Sequence, residues 1–185
     1  MDIGRTRDLT VIWILEQLGD VKYTRAVVCL EKRRFAEQRE ALYPILRLPN
    51  FSRCCIDKTG IGTQFAEEAS EEFGAYRVEG IQFTNQSKAE MAPPLKADFE
   101  GRHIRIPNNN IIRSDLRGIR KETTAGGLTR YAGERTKDGH ADRFWGLALA
   151  RLAAKSDQPA GAIYVFGSTK QSLAMAARQD RTVFS

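Results

Sequence analysis

Cysteine and histidine are scarce in this chain of 185 residues, with three of the first and two of the second. Cys29, Cys54 and Cys55 leave an odd thiol after any pairing, and no paired CxxC or HxxxH spacing occurs. A disulfide framework and a structural zinc site are therefore not expected, and the thiols read as small buried strand residues of a reduced intracellular protein. Long apolar runs are also missing: no charge-free stretch approaches the roughly 18 residues of a membrane helix. The first twenty residues already carry Asp2, Arg5, Arg7 and Asp8, which is unlike a secretory leader. No GxxxxGK[ST] motif is present, so ATP hydrolysis by this chain alone is not expected. Internal repeats and low-complexity segments are absent as well.

What is present is enough for one core. A hydrophobic content of 42% over this length supports a single domain. A formal charge of +6 favours an anionic partner, although charge excess also simply keeps a domain soluble.

Along the chain, Asp8–Leu15 and Tyr23–Leu30 read as strands joined by a Gly19-Asp20 turn. Residues 31–46 read as an amphipathic helix broken at Pro44, and Ser52–Ile56 as a short buried strand delivering Asp57 at its carboxyl end. A helix over Thr63–Phe73 closed by Gly74, a strand over Tyr76–Phe83, and a helix over Ser87–Phe99 interrupted or kinked at Pro93-Pro94 follow. His103–Tyr131, including Ile111-Ile112, reads as β-rich with a hairpin around Gly126-Gly127, and Ala141–Lys155 as a closing helix. This order predicts an α/β layered fold over residues 1–155, with 156–185 as a C-terminal extension packed on or trailing it.

Three separated aspartates stand at the ends of these elements: Asp2 in Asp2-Ile3-Gly4-Arg5, Asp57 after Cys54-Cys55-Ile56, and Asp142 in Gly139-His140-Ala141-Asp142. Carboxylates gathered at element ends are hard oxygen ligands for divalent ions, and a basic chain around them suits a phosphodiester substrate. The leading expectation is a metal-dependent nuclease in which Asp2, Asp57 and Asp142 converge. Each has a structural alternative. Asp142 fits a helix cap, Asp2 an exposed terminus, and Gly60 with Gly62 a tight turn into a helix rather than a phosphate cradle. His140 adds a candidate metal ligand or proton carrier, and Asp8, Glu79 and Asp138 are further carboxylates in reserve.

Basic residues crowd the stretch from Glu100 to Lys137. Arg117, Arg120, Lys121 and Arg130 flank the expected hairpin and are candidate contacts to a nucleic-acid backbone, the alternative being a solvated hairpin rim. Their distance along the chain from the aspartates predicts that DNA binding and metal occupancy are separable. Lys88, just after a strand, is a further candidate phosphate contact, with helix capping by Asn85 or Ser87 as the competing role for that segment.

Three blocks in order, residues 55–62, 78–88 and 139–150, resemble the C-terminal nuclease domain of phage terminase large subunits, those of Mu-like phages and prophages most of all. The resemblance covers about residues 1–155 and implies a ribonuclease H-like fold with a central mixed sheet. It implies that Asp2, Asp57 and Asp142 hold two divalent ions, Mg2+ or Mn2+, for phosphodiester hydrolysis, with His140 close to the last aspartate. It further implies double-stranded DNA as substrate, a packaging ATPase domain, portal and small terminase subunit as partners, and the cytoplasm of a bacterial host as location. Beginning one residue before the first aspartate, the chain is expected to be an excised domain or prophage remnant, monomeric and without that ATPase. Two rival readings are another ribonuclease H-like nuclease of resolvase or transposase type, and a noncatalytic DNA-gripping or motor-docking module.

Overall fold

The computed structural model describes residues 1–4, 9–124, 126–127, 129–133 and 141–154. Strands β1 (Leu9–Leu18) and β2 (Val21–Glu31) form a long antiparallel pair around Gly19, whose positive φ of 62° suits the residue without a Cβ. The register slips between Ile14 and Leu15, so Arg25 is left out of the ladder as a bulge. Helix α1 (Phe35–Leu46) follows, then β3 (Cys54–Asp57), α2 (Gly62–Phe73), β4 (Val78–Ile81) and α3 (Asn85–Glu100). β3 and β4 pair in parallel, and the short β5 (Ile104–Arg105) adds in parallel to the outer edge of β2.

The first two residues join these pieces. On one side Asp2 and Val11 exchange backbone hydrogen bonds of 3.0 and 2.9 Å, and on the other the Asp57 N–H donates to the Met1 carbonyl at 2.9 Å. The Met1 amino group donates to the Cys55 carbonyl at 2.5 Å. The resulting order is β5, β2, β1, residues 1–2, β3, β4, a mixed sheet with Asp2 at its centre.

Period-two alternation divides the core between the two faces. Val11, Trp13 and Val27 face a cluster with Leu95, Trp145, Leu147 and Leu149. Ile12 and Val28 face the other, with Leu42, Leu46, Ile56, Phe65 and Ala69. Cys55 belongs to the first cluster, and burial pushes its thiol up to about 12, in keeping with a packing role. The remaining elements are α4 (Asn110–Arg117), the hairpin β6 (Ile119–Thr123) and β7 (Thr129–Gly133), and α5 (Asp142–Ala153). Two buried ionic clusters bind helices to the sheet and to each other: Asp98 with Lys22 at 3.2 Å and Arg151 at 3.0 Å, and Asp115 with Arg143 at 2.9 Å.

Three sequence expectations change. Ile111-Ile112 lie in a helix, not a strand, because the Asn109 side chain accepts from the Ile111 and Ile112 N–H groups at 2.8 and 3.1 Å and starts α4. α3 is not interrupted at Pro93-Pro94: Pro93 is exposed, while Met91, Ala92 and Leu95 bury the opposite side and hold the helix to the core. α1 likewise runs past Pro44 to Leu46 and begins only at Phe35, where the Arg34 N–H donates to the Glu37 carboxylate at 2.8 Å. No helix among the described residues is long and apolar enough to cross a membrane.

Candidate active site

Asp2 is delivered by the central strand segment, Asp57 by the last residue of β3, and Asp142 by the first residue of α5. All three are buried, at 8%, 8% and 6% exposure, which is unusual for carboxylates. They share one electrostatic neighbourhood. The Asp2 carboxyl is held well above the usual carboxylate range, first by loss of water and then by the negative charges of Asp142 and Asp57, against which the terminal amino group and Lys88 act. Asp57 is raised too, chiefly by burial, while hydrogen bonds from Thr59 pull it back.

Each carboxylate is oriented by a backbone donor or a strand register. The Thr59 N–H donates to Asp57 Oδ1 at 2.8 Å, and the Thr59 hydroxyl accepts from the Phe83 N–H at 2.8 Å, which fastens the loop after β3 to the end of β4. Gly62 begins α2 so close to the strand end that a Cβ there would lie 2.2 Å from the Asp57 carbonyl oxygen, while Gly60 turns at φ 58°. Both glycines therefore serve the turn that presents Asp57. Asp142 does not act as the helix cap. Ala141 occupies that position in a left-handed conformation, φ 63°, and Asp142 Oδ2 reaches back to accept from the Leu9 N–H at 2.8 Å. A left-handed alanine costs on the order of 1 kcal/mol, held here by packing on either side.

Lys88, on the first turns of α3, reaches the same place. Its Nζ lies 4.7 Å from the Trp145 ring centroid and 5.1 Å from that of Phe83, and the two rings stand 5.5 Å apart. Burial lowers the Lys88 pKa, while Asp2 and Asp57 oppose the shift. Helix capping in this segment is reciprocal: the Thr84 side chain accepts from the Ser87 N–H at 3.0 Å, and the Ser87 hydroxyl accepts from the Thr84 N–H at 2.8 Å, so Ser87 caps the helix as well. Trp145 and Phe83 were not singled out as site residues from sequence; an aromatic one turn beyond Asp142 was the available signal.

Of the basic candidates, Arg117, Arg120, Lys121 and Arg130 are all exposed, on α4 and the hairpin. Arg130 lies close enough to Lys88 to depress it further, so one strand of the hairpin comes near Lys88 despite its distance in sequence. Glu79 is engaged by Arg53. His140, Asp8 and Asp138 lie outside the described residues. Among the described residues no three His, Cys, Asp or Glu side chains stand close enough to form a complete ligand set for one ion. The aspartates are neighbours that repel rather than a closed cage.

Comparison with known proteins adds to this geometry. The family model of the terminase RNaseH-like domain matches residues 1–154. The chain belongs to this family. It is 32% identical over 157 residues to the probable large terminase subunit gp28 of Escherichia phage Mu and 26% identical over 156 residues to the Mu-like prophage FluMu protein gp28 of Haemophilus influenzae. Each alignment covers 83% of the chain but only 28% and 30% of the relative, so the chain spans less than a third of those proteins. Among solved structures it is similar to the large terminase nuclease of thermophilic phage G20c, with TM-score 0.64 and 20% identity over 82% of this chain and 78% of that one. The same nuclease with bound magnesium gives TM-score 0.66 and 22% identity over 80% and 76%. The ribonuclease H-like fold expected from sequence is thus the fold of this chain.

Proposed function

We propose that residues 1–155 form a metal-dependent endonuclease module that cleaves double-stranded DNA during genome packaging, with Asp2, Asp57 and Asp142 as the catalytic carboxylates. One observation carries the reading: carboxylates from three distant segments share a buried neighbourhood in which Asp2 is raised first by burial and then by the charges of Asp142 and Asp57. Structural ionic clusters in this protein pair a buried carboxylate directly with arginine or lysine, as at Asp98 and Asp115, whereas the Asp2 carboxyl feels the negative charges of Asp142 and Asp57 more than the opposing charges of the terminal amino group and Lys88.

The donor set fits hard divalent ions, Mg2+ or Mn2+, since oxygen ligands of high negative charge suit them and a cation removes the repulsion that burial magnifies. Asp2, between the other two in electrostatic terms, would be shared by two ions, and Asp57 and Asp142 would each hold mainly one, with His140 as a further candidate ligand. The chemistry such ions supply is acidification of a water nucleophile and neutralisation of charge on the leaving oxygen. The chain's own role is orientation. Thr59 and Leu9 fix the Asp57 and Asp142 carboxylates by backbone donors, so little reorganisation remains when substrate arrives. Lys88, steadied by Trp145 and Phe83, offers its ammonium to a phosphate oxygen beside the carboxylates. Arg120, Lys121 and Arg130 on the hairpin and Arg117 beside it would hold the backbone without reading bases.

By likeness to large subunits of which it matches less than a third, the chain would work beside a packaging ATPase, a portal and a small terminase subunit in the cytoplasm of a bacterial host. The C-terminal extension expected at residues 156–185 lies outside the described residues. Incubation with supercoiled plasmid and with four-way junction DNA, in Mg2+ or Mn2+, tests the reading. Cleavage of plain duplex that stops with chelator is the expected result. Cleavage confined to junctions would favour a resolvase-type enzyme, and DNA binding without cleavage under any metal a noncatalytic module.

A further inference from the structure

A cleft of about 440 Å³ opens between α4 and β6, lined by Asn110, Arg113, Ser114, Arg117, Gly118 and Arg120. Its origin is in the helix repeat: positions 110, 113, 114 and 117 fall on one face of α4, while Ile112 and Asp115 are buried on the other. Gly118 ends the helix, and Arg120 comes from β6 two residues later. The charges of Arg113 and Arg117 are not balanced locally. Among the described residues neither Arg113 nor Arg117 has a carboxylate partner, and Arg113 donates to the neutral Asn108 Oδ1. The acids on the adjoining elements are engaged elsewhere, Asp115 by Arg143 at 2.9 Å and Glu122 by Arg130 at 3.8 Å. The negative end of the helix dipole accounts for a cation at Arg117, in the last turn, but not for Arg113 in the middle of the helix.

We propose that this cleft is a subsite for backbone phosphate of the DNA, held in fixed relation to Asp142. The proposal rests on the DNA-cleaving reading above and deepens it. Guanidinium forks match phosphate oxygens in pairs, and three of them around one cleft concentrate positive potential where a phosphodiester can enter from solvent. The lining has no aromatic or aliphatic side chain on which a base could stack, so the ligand is the backbone and not the base. The fixed relation comes from the opposite face of α4, where buried Asp115 is bound by Arg143, the residue next to Asp142. A phosphate in the cleft therefore sets where the strand lies relative to the carboxylates.

The test is fluorescence anisotropy of the full chain on two duplexes of unrelated sequence over a range of salt. The R113Q/R117Q/R120Q variant should bind both duplexes more weakly to the same degree. Its plot of log affinity against log salt should be shallower than wild type by about two to three units, roughly one for each phosphate that is no longer neutralised. R113K/R117K/R120K, which keeps the charges, should retain the wild-type slope within about half a unit. If the glutamine triple does not fold, R113Q and R117Q singly should each flatten the slope by about one unit. A slope that changes by less than about one unit in the folded triple overturns the subsite. So does a lysine triple as flat as the glutamine one, which traces the loss to the fold. Calorimetry with inorganic phosphate separates the remaining source: phosphate binding abolished in the glutamine triple while duplex binding stays intact marks a small-anion site and overturns the proposal. Wild-type protein that binds no duplex in a salt-dependent way refutes the nuclease reading itself, whereas normal wild-type binding with an unaffected triple refutes the cleft alone.

Discussion

Gly146 is where α5 comes closest to the sheet, and replacing it by alanine tests how tightly the site is built. A Cβ at this position would lie 2.8 Å from Val11 Cγ1 and 3.1 Å from Val11 Cβ. Val11 is fully buried, β-branched and paired on both sides, with Cys29 of β2 and with Asp2, so it cannot swing away, and the helix must shift. Overpacking of this kind costs about 1–3 kcal/mol, while alanine in a helix interior returns about 1 kcal/mol of propensity, so Gly146→Ala should lose roughly 0–2 kcal/mol net. Val11→Ala alone should cost on the order of 2 kcal/mol by leaving a cavity. Together they should be less damaging than their sum by at least about 1 kcal/mol, because the new methyl enters the space the valine vacates. Urea unfolding of the four proteins measures the coupling. The stakes are functional as well as structural: Val11 is the backbone partner of Asp2, and Gly146 lies one turn beyond Asp142. A shift of α5 would therefore move Asp142 away from Asp2, and the single variant should also bind divalent ions more weakly. A Gly146→Ala protein that is more stable than wild type by about 1 kcal/mol and uncoupled from Val11 would refute the close contact.

Two other outcomes follow from burial and charge. The folded Asp2 carboxyl lies above its unfolded value, so the folded state binds the extra proton, and stability in chelator should fall as pH rises from the ordinary carboxylate range through the raised value. Asp2→Asn removes that loss and should be more stable than wild type at neutral pH; unfolding curves in which wild type gains on the variant as pH rises would contradict the burial and repulsion assigned to Asp2. Asp115→Ala leaves Arg143 buried without its partner and should lower stability by about 3–5 kcal/mol, measured by urea melts, and a loss below about 1 kcal/mol would mean that the pair does not hold α4 to α5.

Much of the fold was legible because hydrophobic period and punctuation agreed: the alternation in β1 and β2, Gly74 closing α2, and the Gly126-Gly127 hairpin all stand where the sequence puts them. Short apolar pairs were not. Ile111-Ile112 fits strand or helix equally, and the deciding contact is one asparagine side chain on two N–H groups. The prolines of α3 misled for a related reason, since their cost depends on which face they occupy and only tertiary packing sets that face. Within the site, the three aspartates were visible as carboxylates at element ends, and the structure brings them into one neighbourhood. What holds them was not visible: the Leu9 N–H that draws Asp142 off the helix cap is 133 residues away in sequence. The aromatic support of Lys88 and the closeness of Arg130 to it are also long-range facts. The packing of β7 against α3, the helix that carries Lys88, is another long-range fact that sequence separation concealed.

The central claim is that Asp2, Asp57 and Asp142 act as one metal-dependent hydrolytic site. The most direct measurement is the rate of plasmid cleavage in Mg2+ or Mn2+ by wild type and by Asp57→Ala and Asp142→Ala, each checked for folding by circular dichroism. Wild type should cleave in a way that chelator abolishes, and the rate should fall by at least about 10³-fold in each folded variant. Cleavage at the wild-type rate in both folded variants would contradict the claim.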